Sequence, residues 1–358
     1  MIIFPDNMVS YMNFVGDRTF RQHKLNNADI MLFTALISEE ITAPNEITGY
    51  TLKELADIYD SQTTGQSTGN GKGQTPAKLL LGLMGNSDRF RDVVLRSYCS
   101  VIDEKEETTF YAGTFMLTKH EALIVFRGTD GSLMSWKENF NCLYKFPTYG
   151  QTLAKEYLEK EISSFKSPFM KYYVTGHSKG GNLALYASMY ANAVIKRKIS
   201  SVFLYDAPGF LKDLSGEPEY TEIKDRVSAY VPESCVIGKL IKQPCDLIAI
   251  QATGKGVFQH DTYNWIMDSK GLKVTDSTNE FSKRLSDQIN DWIEGIPMKD
   301  REKVVNELFD VFKKNGILRI EDLIHIDLKH ILGMLMSATM LSSENRSLLM
   351  IIFRELRS

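Results

Sequence analysis

The stretch Tyr172-Tyr173-Val174-Thr175-Gly176-His177-Ser178-Lys179-Gly180-Gly181-Asn182-Leu183-Ala184 decides how this chain is read. A short β-rich run meets a serine flanked by glycines, and a helical pattern of small and apolar residues (Leu183, Ala184, Ala187, Ser188) follows. G-x-S-x-G between a strand and a helix is the pattern of a nucleophile elbow. At the apex of so tight a turn the backbone is strained, and side chains at Gly176 and Gly180 would collide. The turn lifts the Ser178 hydroxyl clear of the sheet edge. It also aims the first amides of the helix, with its positive dipole end, at any anion forming nearby.

Outward from the elbow, short β-rich runs alternate with helical or turn-rich sequence. Residues 108–114 alternate, 123–126 are continuously apolar, and further runs lie at 172–174, 201–205, 227–231 and 247–250. Strands alternating with helices predict an α/β fold with a mostly parallel central sheet and helices on both faces. Residues 27–59 carry helical periodicity, and beyond about 276 every pattern is helical. The organisation expected is a helical segment over 1–105 packed on the core, an α/β core over 106–275, and a helical appendage over 276–358. Residues 61–75 form the one low-complexity stretch, whose composition predicts a surface loop. Its Gly69-Asn70-Gly71-Lys72-Gly73 fails the spacing of a phosphate-binding loop. Met334, Met336, Met340 and Met350 in the appendage read as core filling.

At 358 residues and 43% hydrophobic content the chain can bury a sizeable core. Lys and Arg total 42 against 45 Asp and Glu, a net charge of −3 that argues against a nucleic-acid partner. The opening residues lack the basic and apolar regions of a secretory signal. The longest nearly apolar stretch, 331–341, is about half of the ~20 residues a membrane span needs, so no stable membrane insertion is expected. Cys99, Cys142, Cys235 and Cys245 lie far apart without C-x-x-C spacing, which points to reduced thiols rather than a disulfide or zinc framework. A cytoplasmic location is expected; the oligomeric state is not legible.

A serine hydroxyl needs a base to take its proton, usually a histidine held by a carboxylate. His23 and His120 precede the elbow, His325 and His330 lie in the appendage, and the His177 side chain is expected to point away from its neighbour's hydroxyl. That leaves His260, just beyond the last strand run, as the base. Asp206 and Glu233 each follow a strand run. Asp206, in Asp206-Ala207-Pro208-Gly209, is the first choice of acid, Glu233 the alternative, and Asp246 and Asp261 further options. Two donors are needed for an oxyanion. One is the Lys179 amide, after the nucleophile; the other is Thr129, in the loop after residues 123–126. No metal or organic cofactor is implied.

Taken in order, several motifs resemble a bacterial family of lipase-like α/β-hydrolases, distant relatives of the class-three (fungal-type) lipases. They are Phe126-Arg127-Gly128-Thr129, Gly176-His177-Ser178-Lys179-Gly180-Gly181-Asn182, Asp206-Ala207-Pro208-Gly209-Phe210, Val231-Pro232 and His260-Asp261. The similarity extends to residues 26–37 and to Trp136-Lys137-Glu138-Asn139-Phe140, and so covers residues 8–295. The resemblance implies the α/β-hydrolase fold, Ser178 as nucleophile, Thr129 as an oxyanion residue and His260 as base. Two departures stand out. The lipases' acid follows the strand before Val-Pro, whereas Tyr230-Val231-Pro232 holds no aspartate, which keeps Glu233 open. Their elbow usually has leucine where this chain has Lys179, which predicts a more polar rim.

The expected activity is that of a serine hydrolase on carboxylic esters, with a small-molecule acyl substrate. Thioester or amide cleavage, or acyl transfer, could use the same residues. A non-catalytic scaffold on this fold is the rival from another class. A polar cover from loop 61–75 predicts soluble or short-chain substrates.

Overall fold

Eight strands lie side by side in the order in which they leave the chain. They are β1 (Tyr50–Thr51), β2 (Val94–Asp103), β3 (Thr108–Thr118), β4 (Glu121–Phe126), β5 (Lys171–His177), β6 (Ile199–Tyr205), β7 (Val227–Pro232) and β8 (Leu247–Ile250). The first four pair antiparallel, and β4 through β8 pair parallel. The structure is a computed structural model that describes residues 7–38, 48–64, 75–165, 167–319 and 322. This mixed, mostly parallel sheet flanked by helices is the expected α/β architecture.

The strand order dictates how the faces are covered. Crossovers between parallel strands are right-handed, so strands that always advance in one direction send every crossover to the same face. On that face α6 (Tyr149–Ser163) packs against β3, and α7 (Lys179–Tyr190) lies across β4, β5 and β6. The opposite face must be covered from elsewhere. There α2 (Asn27–Leu36) lies over β4, β5 and β6, joined by α1 (Met8–Val15), α3 (Leu52–Thr64) and α4 (Pro76–Gly85). Strand β4 serves both layers. Leu123 and Val125 enter the core beneath α2, while Ala122, Ile124 and Phe126 enter the core beneath α6 and α7. A strand buried on both faces needs apolar residues at every position, which accounts for the unbroken run.

Helix α2 is buried almost all round. Its Asn26–Asp29 capping box satisfies the first amides. Asp29 also accepts two hydrogen bonds from Arg89 (2.7 and 2.6 Å) and one from the Tyr11 hydroxyl (2.8 Å), with both charged side chains fully buried. This bidentate pair ties α1 and α2 to the segment leading into β2.

Two expectations change at the N-terminal side. The segment 1–105 is not wholly helical, because β1 and β2 extend the sheet. Strand β2 is only half-buried and carries a register break between Leu95 and Ser97, so its pattern is diluted. Residues 61–64 of the expected loop continue α3, and 65–74 lie outside the described residues. Beyond a small β9–β10 pair (Met267–Asp268 with Gly271–Leu272), α10 (Glu280–Gly295) and α11 (Met298–Lys314) form a third core against α5 (Leu133–Asn141). The stretch 331–341, His325, His330 and the four appendage methionines lie outside the described residues. Among the described residues no helix is long and apolar enough to cross a membrane.

Candidate active site

Strand β5 ends at His177, and the chain turns at Ser178 with φ +56° and ψ −127°, a conformation that costs a side-chain-bearing residue about 1–3 kcal/mol. The glycines permit it. A Cβ on Gly176 would overlap the Gly180 backbone, and one on Gly180 would overlap the Phe126 carbonyl. The Ser178 amide donates to the Tyr205 carbonyl (2.9 Å), pinning the turn to the end of β6. Although Ser178 precedes α7, its hydroxyl makes no capping bond, so the side chain is not occupied by the helix.

The next strand end carries Asp206, also at positive φ (+43°) and 1% exposed. Its Oδ1 accepts from the Cys235 thiol (2.9 Å) and the Gly238 amide (2.9 Å), and its Oδ2 lies 2.6 Å from His260 Nδ1. Burial pushes this carboxyl group up, but the His260 imidazole and the Cys235 thiol outweigh it and hold the group below the usual carboxylate range. In return, burial and the Asp206 charge push the Cys235 thiol well up.

His260 ends a short 3-10 turn (Gly256–His260) after β8. The buried Gln259 braces that turn, donating to the Ala252 carbonyl (3.2 Å) and accepting from the Ser234 amide (2.7 Å). Trp265 Nε1 donates to the Gln259 carbonyl (2.7 Å). Glu233 reaches Gln259 Nε2 at 3.4 Å, whereas the carboxylate on His260 is that of Asp206. Asp246 is exposed, and Asp261 accepts from the Tyr263 amide.

His177 does not simply point away from the site. Its Nε2–H donates to the His260 carbonyl (2.9 Å), and the two rings lie 4.5 Å apart. Burial first, then the neighbouring His260, pushes the His177 imidazole down to about 3, so it stays neutral.

Gly128 brings the loop after β4 against the elbow; a Cβ there would come 2.9 Å from the His177 carbonyl and 3.6 Å from Ser178 Cβ. Thr129 follows directly, its Oγ1 accepting from Asn139 Nδ2 (2.8 Å). The Lys179 amide is the first of α7 and has no acceptor within the helix. The Lys179 side chain corrects the expectation of a polar rim. It is 4% exposed and runs inward, with Nζ 2.7 Å from Glu138 Oε2.

A family model described as Mbeg1-like matches residues 84–310, more than half of the chain. The chain belongs to the Mbeg1-like family. That span begins ahead of β2 and ends within α11, so it takes in every residue of the candidate site. No curated protein matches the chain in sequence. Among solved structures, a fungal lipase is 13% identical with a TM-score of 0.42, over 78% of this chain and 93% of that one. A mutant form of MDLA from Penicillium cyclopium is 12% identical with a TM-score of 0.42, over 73% and 92%. M37 lipase is 13% identical with a TM-score of 0.38, over 60% and 70%.

Sequence reasoning missed His177, Cys235 and Gly238 as parts of this site. The last two lie just past the Val-Pro-Glu-Ser segment, beyond Glu233, and neither residue type by itself signals a carboxylate's partner.

Proposed function

We propose that the chain is a serine hydrolase of carboxylic esters, with Ser178 as nucleophile, His260 as base and Asp206 as its acid. The observation that carries this reading is the 2.6 Å contact of His260 Nδ1 with Asp206, which follows the Tyr205 carbonyl that holds the elbow serine. With Nδ1–H committed to the carboxylate, His260 keeps Nε2 for proton transfer. Ser178 Oγ attacks the acyl carbon as Nε2 takes its proton. The amides of Thr129 and Lys179 receive the oxyanion. The tetrahedral intermediate collapses as His260 returns the proton to the leaving alcohol, and water repeats the sequence to release the acid.

Asp206 orients the ring and stabilises the imidazolium that forms, while His260 foremost and the Cys235 thiol hold its carboxyl group below the usual carboxylate range despite burial. Labelling by a fluorophosphonate, with hydrolysis of a short-chain activated ester, tests the reading. Wild-type protein should label and turn over. Ser178→Ala should do neither, with its thermal midpoint unmoved by more than a few degrees. Full turnover in purified Ser178→Ala would falsify the assignment.

A further inference from the structure

Lys179 has two ends with separate tasks. On the assignment proposed above, its amide is one half of the oxyanion hole. Its side chain runs inward to four acceptors that share its three protons: the Thr109 carbonyl (2.7 Å), Thr109 Oγ1 (3.1 Å), Ser135 Oγ (3.2 Å) and Glu138 Oε2 (2.7 Å) from Nζ. Glu138 is 3% exposed, and the same Oε2 accepts from the Thr109 amide (3.1 Å). Its other oxygen, Oε1, is buried without a hydrogen-bond partner among the described residues.

Ser135 and Glu138 both belong to α5, the helix that follows the Thr129 loop. The next residue on α5, Asn139, donates to Thr129 Oγ1 (2.8 Å), and Ser135 Oγ accepts from the Asp130 amide (3.4 Å). Helix α5 is itself held from behind. Leu133, Trp136 and Phe140 pack into the core formed by α10 and α11, and the Leu133 amide donates to the Leu318 carbonyl (2.8 Å). One rigid helix therefore grips both proposed donors: Thr129 through Asn139, and Lys179 through Glu138.

Stability does not explain such a pair. Burying two charges costs about as much as their attraction returns, and apolar replacements of both are often neutral or stabilising. The unpaired Oε1 adds to the cost. What the ion pair does supply is a fixed distance between α5 and the first residue of α7, two elements that follow different strands.

We infer that Lys179 Nζ and Glu138 form a positioning device that holds the Lys179 and Thr129 amides in register as a two-donor oxyanion hole. This rests on the serine-hydrolase reading of the site. Neither side chain touches substrate; both act through α5 and the backbone of α7.

The test exploits the separation between the Lys179 side chain and its amide, because substitution leaves the amide in place. In K179M/E138Q no lone charge is buried, and a glutamine oxygen can still accept from Thr109. The double variant should keep its thermal midpoint and KM on a short-chain activated ester. Its kcat should fall roughly 10- to 100-fold, and Ser178 should react with a fluorophosphonate more slowly in proportion, because both reactions draw on the same donors. Asn139→Ala, which cuts only the link to Thr129, should lower kcat in the same direction and decides the matter if the double variant does not fold. Unchanged kcat in folded K179M/E138Q, or in Asn139→Ala, overturns the positioning role. So does a loss of kcat that only tracks a loss of folded protein. Full turnover in Ser178→Ala would instead overturn the reading on which it rests.

Discussion

The His177 imidazole lies against that of His260, with ring centroids 4.5 Å apart and planes at 35°, and its Nε2–H donates to the His260 carbonyl. The residue before the elbow serine thus holds the main chain of the proposed base, while Asp206 holds its ring. Both contacts begin at the ends of neighbouring strands, where His177 pairs with Tyr205 in the ladder. The loop carrying His260 is therefore fixed from two points of the sheet edge.

His177 should make stability depend on pH. Its folded-state value is pushed down to about 3 from an ordinary 6.5, so between these limits the unfolded chain binds a proton that the folded chain refuses. Stability from this group is complete above pH 6.5 and declines as pH falls toward 3, by at most about 1.4 kcal/mol per pH unit. Urea midpoints at pH 7, 6 and 5 should decline less steeply in His177→Asn than in wild type. Parallel declines in the two proteins would remove His177 from the account.

Asp206→Asn should lower turnover by roughly 10²–10⁴, because an amide favours the wrong imidazole tautomer and cannot stabilise the imidazolium. Glu233→Gln, one residue removed from His260 through Gln259, should cost far less. Steady-state rates on one activated ester give the ranking, and the opposite order would transfer the acid's role to Glu233.

The Cys235 thiol donates to Asp206 Oδ1 at 2.9 Å in a buried setting. Cys235→Ser keeps a donor and Cys235→Ala does not. Losing one such bond is worth about 0.5–1.5 kcal/mol, so the alanine variant should lose about 2- to 10-fold in kcat while the serine variant stays near wild type. Equal rates in the two variants would show that the Gly238 amide alone suffices.

Asp29→Ala should destabilise the fold by about 3–5 kcal/mol, because Arg89 would be left buried and uncompensated. Removing both charges with Asp29→Leu and Arg89→Met should cost much less than either single change. Chemical denaturation of the three variants measures this, and a single variant within about 1 kcal/mol of wild type, the size of an exposed ion pair, would contradict it.

The parallel strands were legible because burial on both faces writes an unbroken apolar run, as in residues 123–126. Strand β2 was not, because Val94–Asp103 is half-exposed near the sheet edge and mixes polar residues with a register break. The elbow was legible because Gly176 and Gly180 answer to local sterics that operate within five residues. Lys179 was misread for the converse reason. A lysine defaults to solvent, and its partner Glu138 lies 41 positions away on another element. The contest between Asp206 and Glu233 could not be decided from pattern, since both follow apolar strand runs. What separates them in space is the path of residues 235–260.

The strand order has a further consequence for the order of synthesis. Each strand from β2 onward finds its neighbour already made, and no later strand has to be inserted between two earlier ones. The sheet can therefore grow from one edge as the chain emerges, as domains commonly fold during synthesis. On the proposed assignment Ser178 is in place first and Asp206 second, whereas His260 docks only after β8 is laid down. A nascent chain ending before residue 256 would carry an elbow without a proton acceptor, so on this assignment the serine stays chemically quiet until all eight strands have been made.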